Sequence, residues 1–190
     1  LSTDQIRALE TADVAALTTD QIPALTAAQV SAMTNAQLVA LTTAQVPALK
    51  TAAIAALTST QIKALEAVDI AVLTTAQLAA LDTTQVSALT TGQIAALTTA
   101  QVAVFGTDDI VALTTAQVIA LTTAQVAALS TEQVAALSTT QIKAMATDDL
   151  AALTAAQVVA LSTAQFAVMT ATQIAALTTA QAAALQTVDL

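Results

Sequence analysis

Apolar residues recur along this chain at fixed phases of an eight-residue period, and polar residues hold two other phases. Leu stands at residue 1 and at every eighth position to 185, replaced only by Met33, Phe105, Met145 and Met169. Position six of each octad is apolar as well, usually Val or Ile, as in Ile6, Val14, Ile22 and Val30. Position eight is Ala except at Val72, Val104 and Val168. Thr at position two and Gln at position five complete the consensus Leu-Thr-Thr-Ala-Gln-Val-Ala-Ala. The array runs from residue 1 to residue 190 as a single domain with no linker: twenty-four octads, the last cut short at Leu190.

An eight-residue period does not suit one long helix. At roughly 100° per residue, eight residues overshoot two turns by about 80°, and an apolar stripe would wind around the rod. A β-solenoid is also disfavoured, because its corners call for Gly, Asn or Asp, and the chain has two Gly residues and one Asn. Ala, Leu and Gln favour helix. The pattern therefore predicts a helix that stops and restarts in every octad.

The restart has its own signature. Thr-x-x-Gln at positions two to five, as in Thr42 with Gln45 and Thr114 with Gln117, is a capping box. The hydroxyl accepts from the backbone N–H three residues on, and the Gln side chain accepts from the N–H of the Thr. Six octads lack the Gln and carry Asp13, Ala53, Asp69, Asp109, Asp149 or Asp189 instead. The same six lack the hydroxyl, with Glu10, Lys50, Glu66, Gly106, Ala146 and Gln186 in its place. Joint loss of both partners is what a reciprocal pair predicts. In the remaining exception, Asp82 faces Gln85 and is itself a good N-cap.

Charge placement fits the same helix direction. All thirteen acids lie at positions two, four or five, and Arg7, Lys63 and Lys143 lie at position seven. Both placements complement a helix dipole. Pro23 and Pro47 also fall at position seven, where a regular helix would use the missing N–H. The helical piece is therefore expected to last about one and a half turns and to tighten into 3₁₀ geometry there.

A longer period points to the winding. Asp69, Asp109, Asp149 and Asp189 are spaced by forty, as are Asp13 and Ala53. Residues forty apart would stack if about five octads made one turn. Short helices of about 10–12 Å could form such a pentagon around an axis that Leu and Val/Ile nearly fill. The expected fold is thus all-α, a right-handed solenoid or superhelix of short helices, one per octad, on an aliphatic axis. A four-octad square and an array of helical hairpins are the alternatives.

Composition narrows function by exclusion. The chain has no Cys and no His, so thiol nucleophiles, thiolate metal sites and the commonest general base are all missing. Neither a nucleophile triad nor a phosphate-binding loop is present, and no enzyme and no cofactor are expected. A net charge of −9 opposes binding to nucleic acid and to anionic membranes. Mean hydropathy is positive, yet Thr and Gln interrupt every stretch of the roughly 20 apolar residues that a membrane span requires. No membrane insertion is expected, and the first residues lack the pattern of a secretion signal.

The Leu-Thr-Thr-Ala-Gln-Val-Ala-Ala-Leu string, with small variations at 41–46, 73–81, 97–103 and 113–121, resembles repeats of very large bacterial adhesin-like or heme-utilisation-type proteins. The resemblance implies a secreted or cell-surface spacer, with any signal outside this stretch. Its partners would be flanking repeats of the same array, with end-to-end self-association between molecules. Leu153-Thr154-Ala155-Ala156-Gln157-Val158-Val159-Ala160 also resembles the first helix of TAL-effector repeats. Their longer period, base-reading loop and basic stripe are missing here, and this likeness implies no DNA binding.

Two features offer a rival role in binding. Asp69, Asp109, Asp149 and Asp189, with Asp108 and Asp148 beside two of them, are Ca²⁺ candidates, since hard cations take oxygen ligands. The simpler reading is dipole compensation where the capping box is absent. Thr pairs such as Thr18/Thr19, Thr42/Thr43 and Thr90/Thr91 would form hydroxyl rows able to match an ice lattice. The simpler reading there is an N-cap followed by a first-turn residue.

Overall fold

A computed structural model describes residues 1–186. Among them are twenty-one short α-helices, two 3₁₀ helices and no strand. There is one helical piece per octad, four to six residues long in nearly every case, from Thr3–Arg7 to Thr179–Gln186. The chain divides into two compact units, Leu1–Leu97 and a second beginning at Thr98. The same architecture recurs within each.

The α-helical restarts follow one local rule. The residue at position two is extended, as at Thr58 (φ −72°, ψ 158°) and Ser130 (φ −72°, ψ 164°). The next residues enter the helix, and position one of the following octad is extended again, as at Leu65 (φ −59°, ψ 146°). Two consecutive extended residues therefore break the helix. No described residue needs a positive φ, which is why the corners manage without glycine.

The two prolines tighten their octads as expected. Pro23 lies in the 3₁₀ helix Ile22–Ala24 and Pro47 in Val46–Ala48. Ala24 donates to the Gln21 carbonyl at 3.0 Å and Ala48 to that of Gln45 at 3.0 Å. These three-residue steps bypass the N–H that proline lacks.

The core is built from positions one and six. Position six is sealed, with Val14, Ile62, Ile94, Val102 and Ile142 all at 0% exposure. Position one is nearly so, including the variants Met33, Phe105 and Met145. The two positions face opposite ways along each unit. In the first octads Ile6, Val14 and Ile22 are buried, whereas Leu1 is exposed and Leu9, Leu17 and Leu25 are half-buried. In the last described octads the order inverts: Met169 is buried, Phe166 half-buried and Ile174 exposed. Position one packs towards earlier octads, and position six packs towards later ones.

Helices three octads apart touch one another. Ala67–Val72 packs on Thr91–Ala96, and Thr123–Ala127 packs on Thr147–Ala152. The side-chain hydrogen bonds between such layers step back 28–31 residues, as from Gln37 to Leu9 and Ile6. That step is three and a half to just under four octads. The forty-residue stacking expected from about five octads per turn is therefore not the arrangement formed, and the four-octad alternative lies nearer. Packing density gives the reason: interiors leave few voids, and one Leu with one Val or Ile per octad, almost without aromatic rings, fills a narrower axis than a pentagon encloses.

Candidate functional site: the glutamine clasp and its aspartate gaps

The most constructed feature of the molecule is the Gln at position five. Its first role is the predicted one. In the Thr74 octad the Thr74 N–H donates to Gln77 Oε1 at 2.8 Å, and the Gln77 N–H donates to Thr74 Oγ1 at 3.2 Å. The same reciprocal pair forms at Ser2, Thr26, Thr34, Thr58, Asp82, Thr90 and Ser130, among others.

Its second role lies at the other end of the amide. Gln77 Nε2 donates to the carbonyls of Val46 at 3.2 Å and Leu49 at 2.7 Å, with Pro47 at 3.4 Å. Gln141 Nε2 does the same to Ile110 and Leu113, both at 2.8 Å. These acceptors lie at the C-terminal end of a helix and just beyond it, where carbonyls lack the regular helical donor; Val46 and Ile110 accept besides only from the N–H three residues on, that of Leu49 or Leu113. One buried amide thus caps the start of its own helix and the end of an earlier one. Gln77 and Gln93 are each 1% exposed, and burial at that depth is tolerable only because both ends of the amide are satisfied. Arg7 makes a related bond in the opposite direction, from Nε to the Ala32 carbonyl at 3.0 Å.

Sequence reasoning captured the cap and missed the clasp, although a signal for it existed. A capping box accepts Glu as readily as Gln, yet no octad carries Glu at position five. Only the amide can also donate. The same distinction explains the octads without Gln.

The Asp octads keep half of the capping box and lose the clasp. The Glu10 N–H donates to Asp13 Oδ2 at 3.1 Å, and the Gly106 N–H to Asp109 Oδ2 at 2.9 Å. The helix amide that would have met the Thr hydroxyl turns instead to the backbone. Asp69 N–H donates to the Glu66 carbonyl at 3.0 Å and Ala53 N–H to that of Lys50 at 2.8 Å.

Asp13 is exposed and Asp109 half-buried, whereas Asp69 and Asp149 are buried. Burial raises the Asp69 pKa above its ordinary value, offset in part by the hydrogen bond from the Glu66 backbone, while the Glu66 charge adds to the rise. Burial also raises Asp149, reinforced by the Asp148 charge and opposed by a hydrogen bond from the Ala146 backbone. Asp69 Oδ2 is buried with no hydrogen-bond partner. Asp189 lies outside the described residues.

The calcium candidates do not form a stacked column, because a 28–31 residue step does not superpose residues forty apart. Asp108 and Asp148 are exposed. Among the described residues no three or more His, Cys, Asp or Glu side chains gather closely enough to hold a metal on their own. The first Thr of each candidate pair is occupied as a cap: Thr18, Thr42 and Thr90 accept from Gln21, Gln45 and Gln93. Among the described residues no helix is long and apolar enough to cross a membrane.

No curated protein and no solved structure matches the chain at a significant level. A family model described as the ALTTAQ repeat matches residues 1–27, 22–51, 30–67, 43–75, 62–99 and 95–123. Further matches at 102–139, 118–147, 134–163, 142–179 and 156–187 carry it through the second half. The overlapping matches follow the Leu, Thr and Gln positions from which the caps, clasps and core are built, and the chain belongs to the ALTTAQ repeat family.

Proposed function

We propose that this chain is a structural spacer, a length of right-handed solenoid with an aliphatic axis within a large secreted or cell-surface, adhesin-like bacterial protein. The observation that carries this reading is the glutamine clasp, which fastens octads to the chain 28–31 residues earlier throughout each unit. In arrays of this kind each repeat contacts only near neighbours, and length can be added without a new core. Spacing needs no catalytic group, and the chain has neither His nor Cys.

Chains lengthened or shortened by thirty-two residues provide the test. Small-angle scattering should show the longest dimension changing by about 10 Å per three to four octads, the separation of packed helices, while helical content per residue stays constant. A longest dimension that does not follow octad number would refute the spacer reading. The rival reading as a binding module is favoured at two places, where Asp69 and Asp149 are buried without the amide that fills the same position in neighbouring octads.

A further inference from the structure

We propose that Asp69 and Asp149 each hold a calcium ion against the backbone carbonyls one layer earlier: Leu38, Val39 and Leu41 for Asp69, and Val118, Ile119 and Leu121 for Asp149. The proposal does not depend on the spacer reading.

The register that pairs these groups is fixed on both sides. Before Asp69, Gln61 donates to the carbonyls of Ser31 and Met33; after it, Gln77 donates to those of Val46, Pro47 and Leu49. The residues 31, 30 and 28 before Asp69 are Leu38, Val39 and Leu41. Asp149 is bracketed in the same way by Gln141 on Ile110 and Leu113, and by Gln157 on Val126 and Leu129.

Replacing Gln by Asp removes the donor and shortens the side chain by one methylene. In this register the carbonyls below Asp69 receive no side-chain amide, the Leu38 carbonyl keeping only the Leu41 N–H at 3.2 Å, and the side chain at the Gln position is an acceptor-only carboxylate. One Asp69 oxygen takes the Glu66 N–H. The other, Oδ2, is buried and unpartnered, in a residue 2% exposed. Buried polar atoms are nearly always paired, and a cluster made only of oxygen acceptors calls for a cation.

Ligand type and charge select which cation. The clasp distance is 2.7 Å from Gln77 Nε2 to the Leu49 carbonyl. Withdrawing the side-chain head by one carbon–carbon bond of about 1.5 Å opens the gap to roughly 4 Å, too wide for a direct hydrogen bond and wide enough for a cation between oxygens. Ca²⁺ accepts a mixture of carboxylate, backbone carbonyl and water oxygens, whereas Mg²⁺ demands a regular octahedron. A second acid lies near enough to act electrostatically on each site, Glu66 on Asp69 and Asp148 on Asp149, so a divalent charge is balanced. Asp13 and Asp109 are less buried and reach solvent; among the described residues this leaves Asp69, 2% exposed and holding the one buried carboxylate oxygen without a partner, and Asp149, 6% exposed.

The test uses the whole chain, stripped of metal with a chelator. Equilibrium dialysis against radioactive calcium near neutral pH should show one ion bound at each of the two sites. Thermal melts should rise by several degrees in millimolar Ca²⁺, revert with chelator, and respond much less to Mg²⁺ or Na⁺. Asp69→Gln with Asp149→Gln, which restores the amide at both places, should abolish binding and the thermal response while the chain stays folded without calcium. No retained calcium in the unsubstituted chain would overturn the proposal, the gap then being filled by a proton or a bridging water. Equal calcium binding by the doubly substituted chain would overturn it as well, by placing the ion on exposed acids.

Discussion

Two adjacent octads, residues 65–72 and 73–80, share a core and differ in how they are fastened. Each begins on a buried leucine, Leu65 or Leu73, and each carries a sealed apolar residue at position six, Ile70 or Leu78. Each starts its helix at position three, Ala67 or Thr75. The second octad has the full capping box and a Gln77 amide that reaches Val46 and Leu49. The first has Glu66 and Asp69, with neither a hydroxyl cap nor a donor. The apolar pair and the extended corner are therefore sufficient to form the helix and place it. The Gln determines how firmly one layer joins another.

The sharpest way to break this comparison is Gln77→Glu. The cap would survive, because Glu can close a capping box, but a carboxylate would be forced against carbonyl oxygens. We expect a loss of about 3 kcal/mol, typical of leaving a buried charged group unpaired, measured by urea denaturation. A loss as small as that of a surface substitution would mean the clasp contributes little. The reverse change, Glu66→Thr with Asp69→Gln, should convert the weaker octad into the stronger and gain about 2 kcal/mol in metal-free buffer, from the added hydrogen bonds and the removed buried charge. Stability that is unchanged or lower would show that the Asp octad is already satisfied.

A smaller effect is expected at the cap alone. Thr74→Ala leaves the amide clasp in place and should cost about 1 kcal/mol, the usual value of an N-cap hydroxyl. Comparison with Gln77→Glu would separate the two roles of one side chain. The gentlest probe is pH. Burial raises the pKa of Asp69 and Asp149 above that of the unfolded chain, so the folded state binds these protons more tightly. In calcium-free solution their contribution is most favourable below the unfolded aspartate pKa of about 3.9 and is lost as pH rises through the raised folded values. The melting temperature of the unsubstituted chain should therefore fall relative to that of Asp69→Gln/Asp149→Gln as pH rises across this window. Parallel pH curves would remove the basis for treating these two acids as distinctive.

Much of the local structure was legible in the sequence because its causes lie within one octad. Thr58 and Gln61 announce a helix start wherever they occur, and Pro23 forces the tightened step it was expected to force. Leu at position one and Val or Ile at position six mark the core by periodicity alone. The number of octads per turn was not legible, because it depends on contacts between residues about thirty apart. The forty-residue recurrence of Asp residues suggested stacking, but the bonds from Gln77 and Gln141 span 28–31 residues. A copying period in a sequence need not be a contact period in the fold. Asp69 and Asp149 were visible as candidates, but their separation from the exposed Asp13 and half-buried Asp109 follows only from what lies beneath each.

The directionality of the clasp has a kinetic consequence. The clasps run from a Gln to carbonyls earlier in the chain, no more than 31 residues back. A segment emerging from a ribosome therefore finds the acceptors for its glutamine amides already made, while its position-six side chain is covered by the octads that follow. The search for partners spans a loop of constant size, and closure entropy grows only with loop length. Because folding rates follow the sequence separation of contacts, adding octads should leave the time to dock each one unchanged. Such an array can set hard from its leading end, a few octads behind the point of delivery.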